Sequence, residues 1–283
     1  MTDTDQNPSA QNPNAGSYAF GGFRQNQQEL DRLKAQADAA QALEQAILQQ
    51  CGLRPGMRVL DLACGPGLIS CLLARMVAGG QVLGLDLSPQ LLDEARAHAA
   101  QAGLANLSFQ QGDAYALELA DGGVDFVYAR FLFQHLKRPE QALSEIMRVL
   151  RPGGILAIAD VDDAWLSLYP EPARFAAFVR RAAQAQAGQG GDRHIGRKLA
   201  GLLAEAGFAQ VNAWVQGLSS SQLGMQALLD LTTGFKLQQL VAEDPIQAEA
   251  DRADIYRLLQ RPNAWGCVGV FLACGLRPVP DPD

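Results

Sequence analysis

The chain has 283 residues, of which 48% are apolar and 19% are charged, and its formal net charge is -7. These values are typical of a globular protein with a core large enough for one α/β domain, and they disfavour a general nucleic-acid-binding protein, which would usually show a basic face. The sequence has no run of 18 apolar residues, so we expect no membrane span and no membrane partner.

The N-terminal segment has neither the basic start nor the apolar stretch of a secretory signal, which favours a cytoplasmic protein. Its Asn, Gln, Pro and Ser content predicts a disordered tail over residues 1–17. The five cysteines include no C-x-x-C pair and the chain has only three histidines. We therefore expect reduced, buried thiols and no metal site.

From Gln25 to Gln50, apolar residues recur at helical spacing and predict an amphipathic helix or a pair of helices. Strands and helices then alternate along the chain. The predicted strands are RVLDLA, QVLGLDLS, LSFQQGDA, VDFVYAR and ILAIADVD, and the predicted helices are GLISCLLARMV, SPQLLDEARAHAAQAG and PEQALSEIMRVL. This alternation is typical of βαβ units with a parallel sheet and right-handed crossovers.

Beyond residue 163 the alternation is less regular. Residues 164–190 and 222–260 are helical in composition, and the clear elements are the helix RHIGRKLAGLLAEAGF and the strands AQVNAWVQG and AWGCVGVFLACG. The sequence predicts one α/β domain over residues 18–283 with a doubly wound, mostly parallel sheet of seven strands. Its core is expected over 57–163, with helical inserts at 164–190 and 222–260.

Acidic residues follow the apolar runs of the first three predicted strands at Asp61, Asp86 and Asp113. Open parallel sheets bind ligands beyond the carboxyl ends of their strands, so these acids are expected at one binding edge. The glycine turn ACGPG at 63–67 lacks the third glycine of a dinucleotide motif. In addition, a carboxylate at Asp61 would disfavour a diphosphate beside it.

The three acids instead suit a ligand without phosphate. Asp61 favours an ammonium group, Asp86 can accept hydrogen bonds from both hydroxyls of a ribose, and Asp113 can accept from an exocyclic amine such as that of adenine. An adenosine that carries an amino-acid tail satisfies all three, and S-adenosylmethionine is such a ligand.

The chain resembles the Rossmann-like (class I) S-adenosylmethionine-dependent methyltransferases of the small-molecule type. The resemblance covers residues 57–161 and rests on VLDLACGPG, VLGLDLSPQLLDEAR, QGDA, VDFVYARFLFQHL and EIMRVLRPGGILAIAD. It implies a Rossmann-like fold with helical cap inserts and an N-terminal helical lid over 18–50. The cofactor-binding residues that it implies include the three acids. They are Tyr18, Asp61, Ala63, Cys64, Gly65, Gly67, Asp86, Leu87, Asp113, Ala114 and Arg130.

Two residues that follow the fourth strand are candidates for chemistry. Arg130 is placed to meet the cofactor or a substrate anion, and a surface salt bridge is the alternative. His135 lies on the face that opens to the acceptor in similar enzymes and is the candidate catalytic base, since imidazole exchanges protons near neutral pH. A positioning or helix-capping histidine is the alternative. His98 and His194 are predicted to be solvated.

The end of the fifth strand supplies the substrate-binding candidates. Asp160, Asp162 and Trp165, with Asp163 between them, could hold a cationic or amine acceptor, and solvated loop acids are the alternative. In the lid, the candidates to close over the cofactor are Tyr18, Arg32 and Gln36, with a purely structural packing role for the aromatic segment as the alternative.

The resemblance implies methyl transfer from S-adenosylmethionine to a small-molecule metabolite, with oxygen, nitrogen, carbon and sulfur acceptors all open. No N-P-P-Y or D-P-P-Y run follows the fourth strand, which, with the acidic charge, disfavours nucleic-acid acceptors. The alternatives are a non-catalytic cofactor-binding or regulatory protein and a nicotinamide-dependent oxidoreductase. We expect the inserts 164–190 and 222–260 to line the acceptor pocket, with a homodimer contact as the alternative.

Overall fold

The computed structural model describes residues 43–280 of the chain. Residues 43–50 are helical (α1), in agreement with the end of the predicted N-terminal helix. The predicted tail at 1–17 and the lid candidates Tyr18, Arg32 and Gln36 lie outside the described residues.

One mixed sheet forms the centre of the molecule. Its strands are β1 (Arg58–Leu62), β2 (Gln81–Asp86), β3 (Leu107–Gln111), β4 (Val124–Arg130), β5 (Leu150–Val161), β6 (Ser167–Tyr169), β7 (Ala209–Ser219) and β8 (Trp265–Leu276). The helices after α1 are α2 (Leu68–Met76), α3 (Pro89–Ala102), α4 (Pro139–Val149), α5 (Phe175–Gly188), α6 (Leu199–Glu205), α7 (Ser220–Leu223), α8 (Met225–Glu243) and α9 (Pro245–Tyr256).

The sheet has the doubly wound topology that the sequence predicts. Strands β3, β2, β1, β4 and β5 are parallel and adjacent in that order, and β8 pairs antiparallel with β5. Leu272 in the middle of β8 pairs with Ala159 of β5 on one side and Trp214 of β7 on the other. The order reverses between β1 and β4, which places the expected ligand edge beyond the carboxyl ends of these strands.

The sequence predicts seven strands, and residues 43–280 contain eight. The additional strand, β6, lies within the segment 164–190 that was expected to be helical, and only Phe175–Gly188 of that segment forms an α-helix. Ser167 and Tyr169 pair with the beginning of β8. Three residues are too few for a periodic pattern, so this strand depends on its partner and has no local signature.

Helices cover both faces of the sheet. Phe126 and Tyr128 of β4 pack with α1 and α2 on one face, whereas Val127 and Ala129 pack with α4 on the other. Because both faces are buried, the central strands are apolar throughout and do not alternate with polar residues.

A third apolar cluster joins helices α5, α8 and α9, which lie within the two segments identified as inserts. Phe178, Leu228, Leu237 and Ile255 are among its buried members. The buried carboxylate of Asp251 on α9 accepts a hydrogen bond from Arg181 on α5, which also ties these helices together. Within residues 43–280, no helix combines the length and apolarity that crossing a bilayer requires.

Candidate active site

The turn between β1 and α2 has the backbone conformation that small residues allow. Ala63, Gly65 and Gly67 all have positive φ values, of 60°, 54° and 75°. A Cβ on Gly67 would lie 2.7 Å from the Cβ of Ala95, so this glycine is required by packing against α3. A Cβ on Gly65 would meet nothing within 4 Å, so Gly65 leaves open space above the turn where a ligand can approach.

Asp86 ends β2 and holds the glycine turn in place. Its two carboxylate oxygens accept hydrogen bonds from the backbone N–H of Gly65 at 2.8 Å and of Ser88 at 2.9 Å. Burial raises the pKa of Asp86, although these bonds oppose the increase. Each carboxylate oxygen has two lone pairs, so the group can accept further bonds from a ligand.

Asp61 lies in β1 below the turn and is almost completely buried. The hydroxyl of Ser70 on α2 donates to its carboxylate at 2.5 Å. Burial raises the pKa of Asp61 to about 7, while Ser70 and the nearby guanidinium of Arg130 partly offset this effect. Asp61 is therefore poised to become fully ionised when a cation binds beside it.

The third acid lies just after β3, where a carboxylate oxygen of Asp113 accepts from the backbone N–H of Tyr115 at 2.9 Å. Leu87, after β2, is exposed. Since β3, β2 and β1 are neighbours, Asp113, Asp86 and Asp61 follow one another along a single edge of the sheet.

Cys64 and His98 also belong to this region. Cys64 is buried, and its thiol lies 3.7 Å from the carbonyl oxygen of Gly65. His98 was expected to be solvated, but it is half-buried and its Nδ1 lies 2.8 Å from the carbonyl oxygen of Pro66. Because a carbonyl can only accept, Nδ1 carries the proton, and the ring supports the glycine turn from α3.

Arg130 at the end of β4 forms an ion pair that is buried and not at the surface. Its Nε donates to Glu44 of α1 at 3.2 Å, and Glu44 also accepts from the hydroxyl of Tyr128. The guanidinium lies 4.4 Å from the ring centre of Phe131, whose φ of 54° is uncommon for a non-glycine residue. Such strained positions are frequent at functional sites.

A pocket opens beside this ion pair, at the carboxyl ends of β4 and β5. Helix α8 and α7 cover it, and α1 and β8 form its sides. Its described apolar walls are Leu43, Ile47, Phe131, Val161, Leu166, Leu218, Leu223, Leu228, Leu231, Val268 and Val270. Its polar lining is Glu44, Arg130, Asp163, Arg193, Thr232 and Lys236.

Asp163, Arg193 and Lys236 form a charged cluster in the pocket wall. Arg193 donates to both oxygens of Asp163, at 2.8 and 3.0 Å, and the Nζ of Lys236 lies 3.1 Å from one of them. All three side chains are buried. Burial alone would raise the pKa of Asp163, but Lys236 and Arg193 lower it below its ordinary value.

Arg193 and Lys236 were not predicted as site residues, since neither belongs to a sequence motif. The one local signal is that Lys236 stands between Phe235 and Leu237, in a helix whose buried residues are mainly apolar. A lysine at such a position is rarely buried without a partner.

Of the three substrate-binding candidates, none lines the pocket, whereas Asp163 between them does. Asp160 is fully buried and accepts from the backbone N–H of Val161 at 2.8 Å and of Gln134 at 3.1 Å. Burial raises the pKa of Asp160 to about 7. Trp165 is half-exposed and packs edge-on against Phe271.

The carboxylate of Asp162 is paired with residues of the segment that immediately precedes α6. Arg197 donates to it at 2.7 Å, and the Nδ1 of His194 lies 3.2 Å away. His194 is therefore paired with an acid, although its side chain remains 43% exposed. These contacts give Asp162 a structural partner in the chain itself.

His135 lies in a 3₁₀ turn at Phe133–His135, after β4. It is half-buried, and its ring packs edge-on against Phe235 of α8 with the ring centres 5.7 Å apart. The ring thus lies against the helix that covers the pocket. Within the described part of the chain, no group of three His, Cys, Asp or Glu side chains is arranged to hold a metal ion.

Comparisons with known proteins agree with this geometry. Residues 53–205, more than half of the chain, match a family model described as a methyltransferase domain. An uncharacterized 37.1 kDa protein in a transposon of Streptomyces fradiae is 38% identical over 184 residues, which are 64% of this chain and 51% of that protein. A ubiquinone/menaquinone biosynthesis C-methyltransferase of Roseobacter denitrificans is 36% identical over 46% of this chain and 50% of its own length.

The matched part therefore spans about half the length of these curated relatives. Among solved structures, a phosphoethanolamine N-methyltransferase of Haemonchus contortus, in complex with S-adenosylhomocysteine, has a similar fold. The two structures superpose with a TM-score of 0.56 at 20% sequence identity. The superposition covers 84% of this chain and 53% of that chain.

Proposed function

Since this chain belongs to the class I S-adenosylmethionine-dependent methyltransferases, we propose that it transfers a methyl group from S-adenosylmethionine to a small-molecule acceptor. The observation that carries the proposal is the covered pocket, which opens beside Arg130 at the carboxyl edge of the sheet. This edge also carries the three acids and the open glycine turn. We also propose that the acceptor is a metabolite and that the protein is cytoplasmic.

The residues of the first three strands fit the cofactor. Asp61 would hold the ammonium of its methionine part, Asp86 the ribose hydroxyls, and Asp113 with Ala114 and Leu87 the adenine. The open space at Gly65 supports this assignment, because a side chain there would occupy the ligand's path. The acidic character of the edge also disfavours the diphosphate of a nicotinamide cofactor.

When bound, the cofactor supplies a methyl group that its sulfonium already activates. The chain then has to orient the acceptor in line with the methyl–sulfur bond and to exclude water. The covered, largely apolar pocket suits both tasks. A general base is needed only if the acceptor arrives protonated, and His135, beneath α8, is the candidate.

The test is calorimetry with S-adenosylmethionine, S-adenosylhomocysteine and the nicotinamide cofactors, followed by transfer of a labelled methyl group to a metabolite panel. We expect binding of the first two and labelling of at least one acceptor. Binding of a nicotinamide cofactor alone would contradict the proposal. Tight S-adenosylmethionine binding without transfer to any compound would favour the non-catalytic alternative.

A further inference from the structure

The polar side chains at one end of the pocket wall are bonded within the chain. Both carboxylate oxygens of Glu44 accept hydrogen bonds, one from Arg130 at 3.2 Å and the other from the hydroxyl of Tyr128. The hydroxyl of Thr232 donates to the carbonyl oxygen of Leu228, one turn earlier in α8, at 2.7 Å. A ligand that enters here therefore meets an acid that already has partners.

The charged cluster at the other end is bonded in the same way. Asp163 accepts from Arg193 at 2.8 and 3.0 Å and lies 3.1 Å from the Nζ of Lys236. Arg193 also donates to Gln134, and Lys236 to the carbonyl oxygen of Thr232, both at 2.6 Å. Exchanging one of these bonds for a bond to a ligand gains little, because the displaced partner would remain buried without its bond.

The pocket also lacks the features that hold a cationic acceptor. Methylated ammonium groups are usually bound against the faces of several aromatic rings. Among the described lining residues only Phe131 is aromatic, and the guanidinium of Arg130 already lies 4.4 Å from its ring centre. Asp162, from which the sequence predicted contact with a cationic acceptor, is paired with Arg197 and His194.

Aliphatic side chains form most of the described wall and come from several elements. Leu43 and Ile47 belong to α1, Leu228 and Leu231 to α8, and Val270 to β8. The pocket has a volume of about 770 Å³, counting the open space at its mouth, which lies in the range for small organic ligands. Hydrocarbon surface that enters this pocket leaves water for apolar contacts, and this transfer is favourable.

We infer that the acceptor is a neutral molecule with a hydrocarbon body and a single reactive polar group. The aliphatic wall binds the body, and Leu231 of α8 is one of the residues that determine this specificity. The inference rests on the proposed function and specifies its substrate class. It replaces the sequence-based expectation of a cationic or amine acceptor.

The experiment measures the binding of matched probes by calorimetry, on the full chain saturated with S-adenosylhomocysteine. In the series 1-butanol, 1-hexanol and 1-octanol, we expect the affinity to rise about three- to fourfold for each added methylene group. We expect 1,8-octanediol to bind at least about tenfold more weakly than 1-octanol, because its second hydroxyl would be buried without a partner.

Two variants of α8 locate the binding site. Leu231→Asn should weaken 1-octanol binding at least about fivefold, since it places an amide against the hydrocarbon chain. Val241→Asn is the matched control and should leave the affinity unchanged, because Val241 is an exposed apolar residue that is not among the described lining residues. Thermal unfolding shows whether each variant is folded. If Leu231→Asn does not fold, the probe series on the unmodified chain still decides the question.

Failure of the inference and failure of the proposed function give different results. Absence of S-adenosylhomocysteine binding would contradict the proposed function. Binding of S-adenosylhomocysteine without any dependence on chain length, or with equal affinities for 1-octanol and 1,8-octanediol, would overturn the hydrocarbon-bodied acceptor alone. Affinity for 1-octanol that is unchanged in a folded Leu231→Asn would show that the chain binds elsewhere, which would also overturn it.

Discussion

At the residue scale, the carboxylate of Asp86, which we propose binds the ribose, also fixes the glycine turn through Gly65 and Ser88. We predict that Asp86→Ala weakens S-adenosylmethionine binding by about 1.5–3 kcal/mol, the range for hydrogen bonds to a charged group. Calorimetry measures this change. Asp93→Ala is the control, since Asp93 is an exposed acid on α3 whose ion-pair partner, Arg96, lies on the same helix. Unchanged affinity in Asp86→Ala would remove Asp86 from the ribose role.

The raised pKa values of Asp61 and Asp160 have consequences for stability. A carboxyl group that binds its proton more tightly in the folded chain favours folding at low pH. Both groups move from 3.8 to about 7, so each lowers the free energy of unfolding as the pH rises through this interval. A salt-bridged acid such as Asp125, whose pKa falls to about 2, has the opposite effect, because it raises the free energy of unfolding as the pH rises.

The same shift predicts that cofactor binding releases a proton. An ammonium beside Asp61 favours the ionised carboxylate, so the affinity for S-adenosylmethionine should rise with pH up to about pH 7. Calorimetry at about pH 6, in two buffers of different ionisation enthalpy, counts the released protons. Asp61→Asn should abolish this release and Asp160→Asn should retain it. Identical heats in both buffers for the unmodified chain would contradict the assignment of Asp61.

At the scale of elements, two glycines of the turn between β1 and α2 have different surroundings. Gly67 is enclosed by Ala95 and Phe109, whereas Gly65 faces open space. We predict that Gly67→Ala lowers the free energy of unfolding by about 1–3 kcal/mol more than Gly65→Ala, as expected for overpacking. Both variants share the strain of a positive φ, about 1–2 kcal/mol, so the pair serves as its own control. Denaturant unfolding measures the difference, and equal losses would contradict the packing role of Gly67.

The larger variant Gly65→Val tests the ligand path on the same element. Its branched side chain should occupy the space above the turn and abolish S-adenosylmethionine binding, while the fold is largely retained. Circular dichroism and calorimetry give the two results separately. Normal cofactor affinity in this variant would show that the ligand does not pass over the turn.

The elements differ in how well the sequence predicts them. Helix α3 is identified from local signals: its N-cap Ser88 accepts from the N–H of Leu91, Pro89 follows, and Gly103 ends it with a φ of 64°. Strand β6 has no such signals, because it depends on pairing with residues almost one hundred positions later in the chain. Local propensity therefore predicts the βα units well and the cap region less completely.

At the scale of the whole molecule, some site residues can be placed together from the sequence and others cannot. The acids Asp61, Asp86 and Asp113 could be placed together from the sequence, since carboxyl ends of parallel strands share one edge. The cluster of Asp163, Arg193 and Lys236 could not, because its members come from the end of β5, a loop and α8, and only the folded cap brings them into contact.

The cap, formed by the helices of the inserts 164–190 and 222–260, contributes unequally to the pocket wall. Helix α8 supplies Leu228, Leu231, Thr232 and Lys236 to the pocket wall, whereas no residue of α9 is among the described lining residues. If the cap closes over the site, ligand binding should stabilise α8 more than α9 against local opening. A homodimer contact would instead protect these helices without any ligand.

We therefore predict that S-adenosylhomocysteine slows amide hydrogen exchange in Met225–Glu243 at least about threefold more than in Pro245–Tyr256. The two helices belong to one apolar cluster, so α9 is an internal control for general stabilisation of the cap. The measurement is repeated at protein concentrations that differ by about a hundredfold, since only an association between copies depends on concentration. Protection that rises with concentration and ignores S-adenosylhomocysteine would assign this surface to a homodimer. Exchange that responds to neither change would contradict the pocket-covering role of α8.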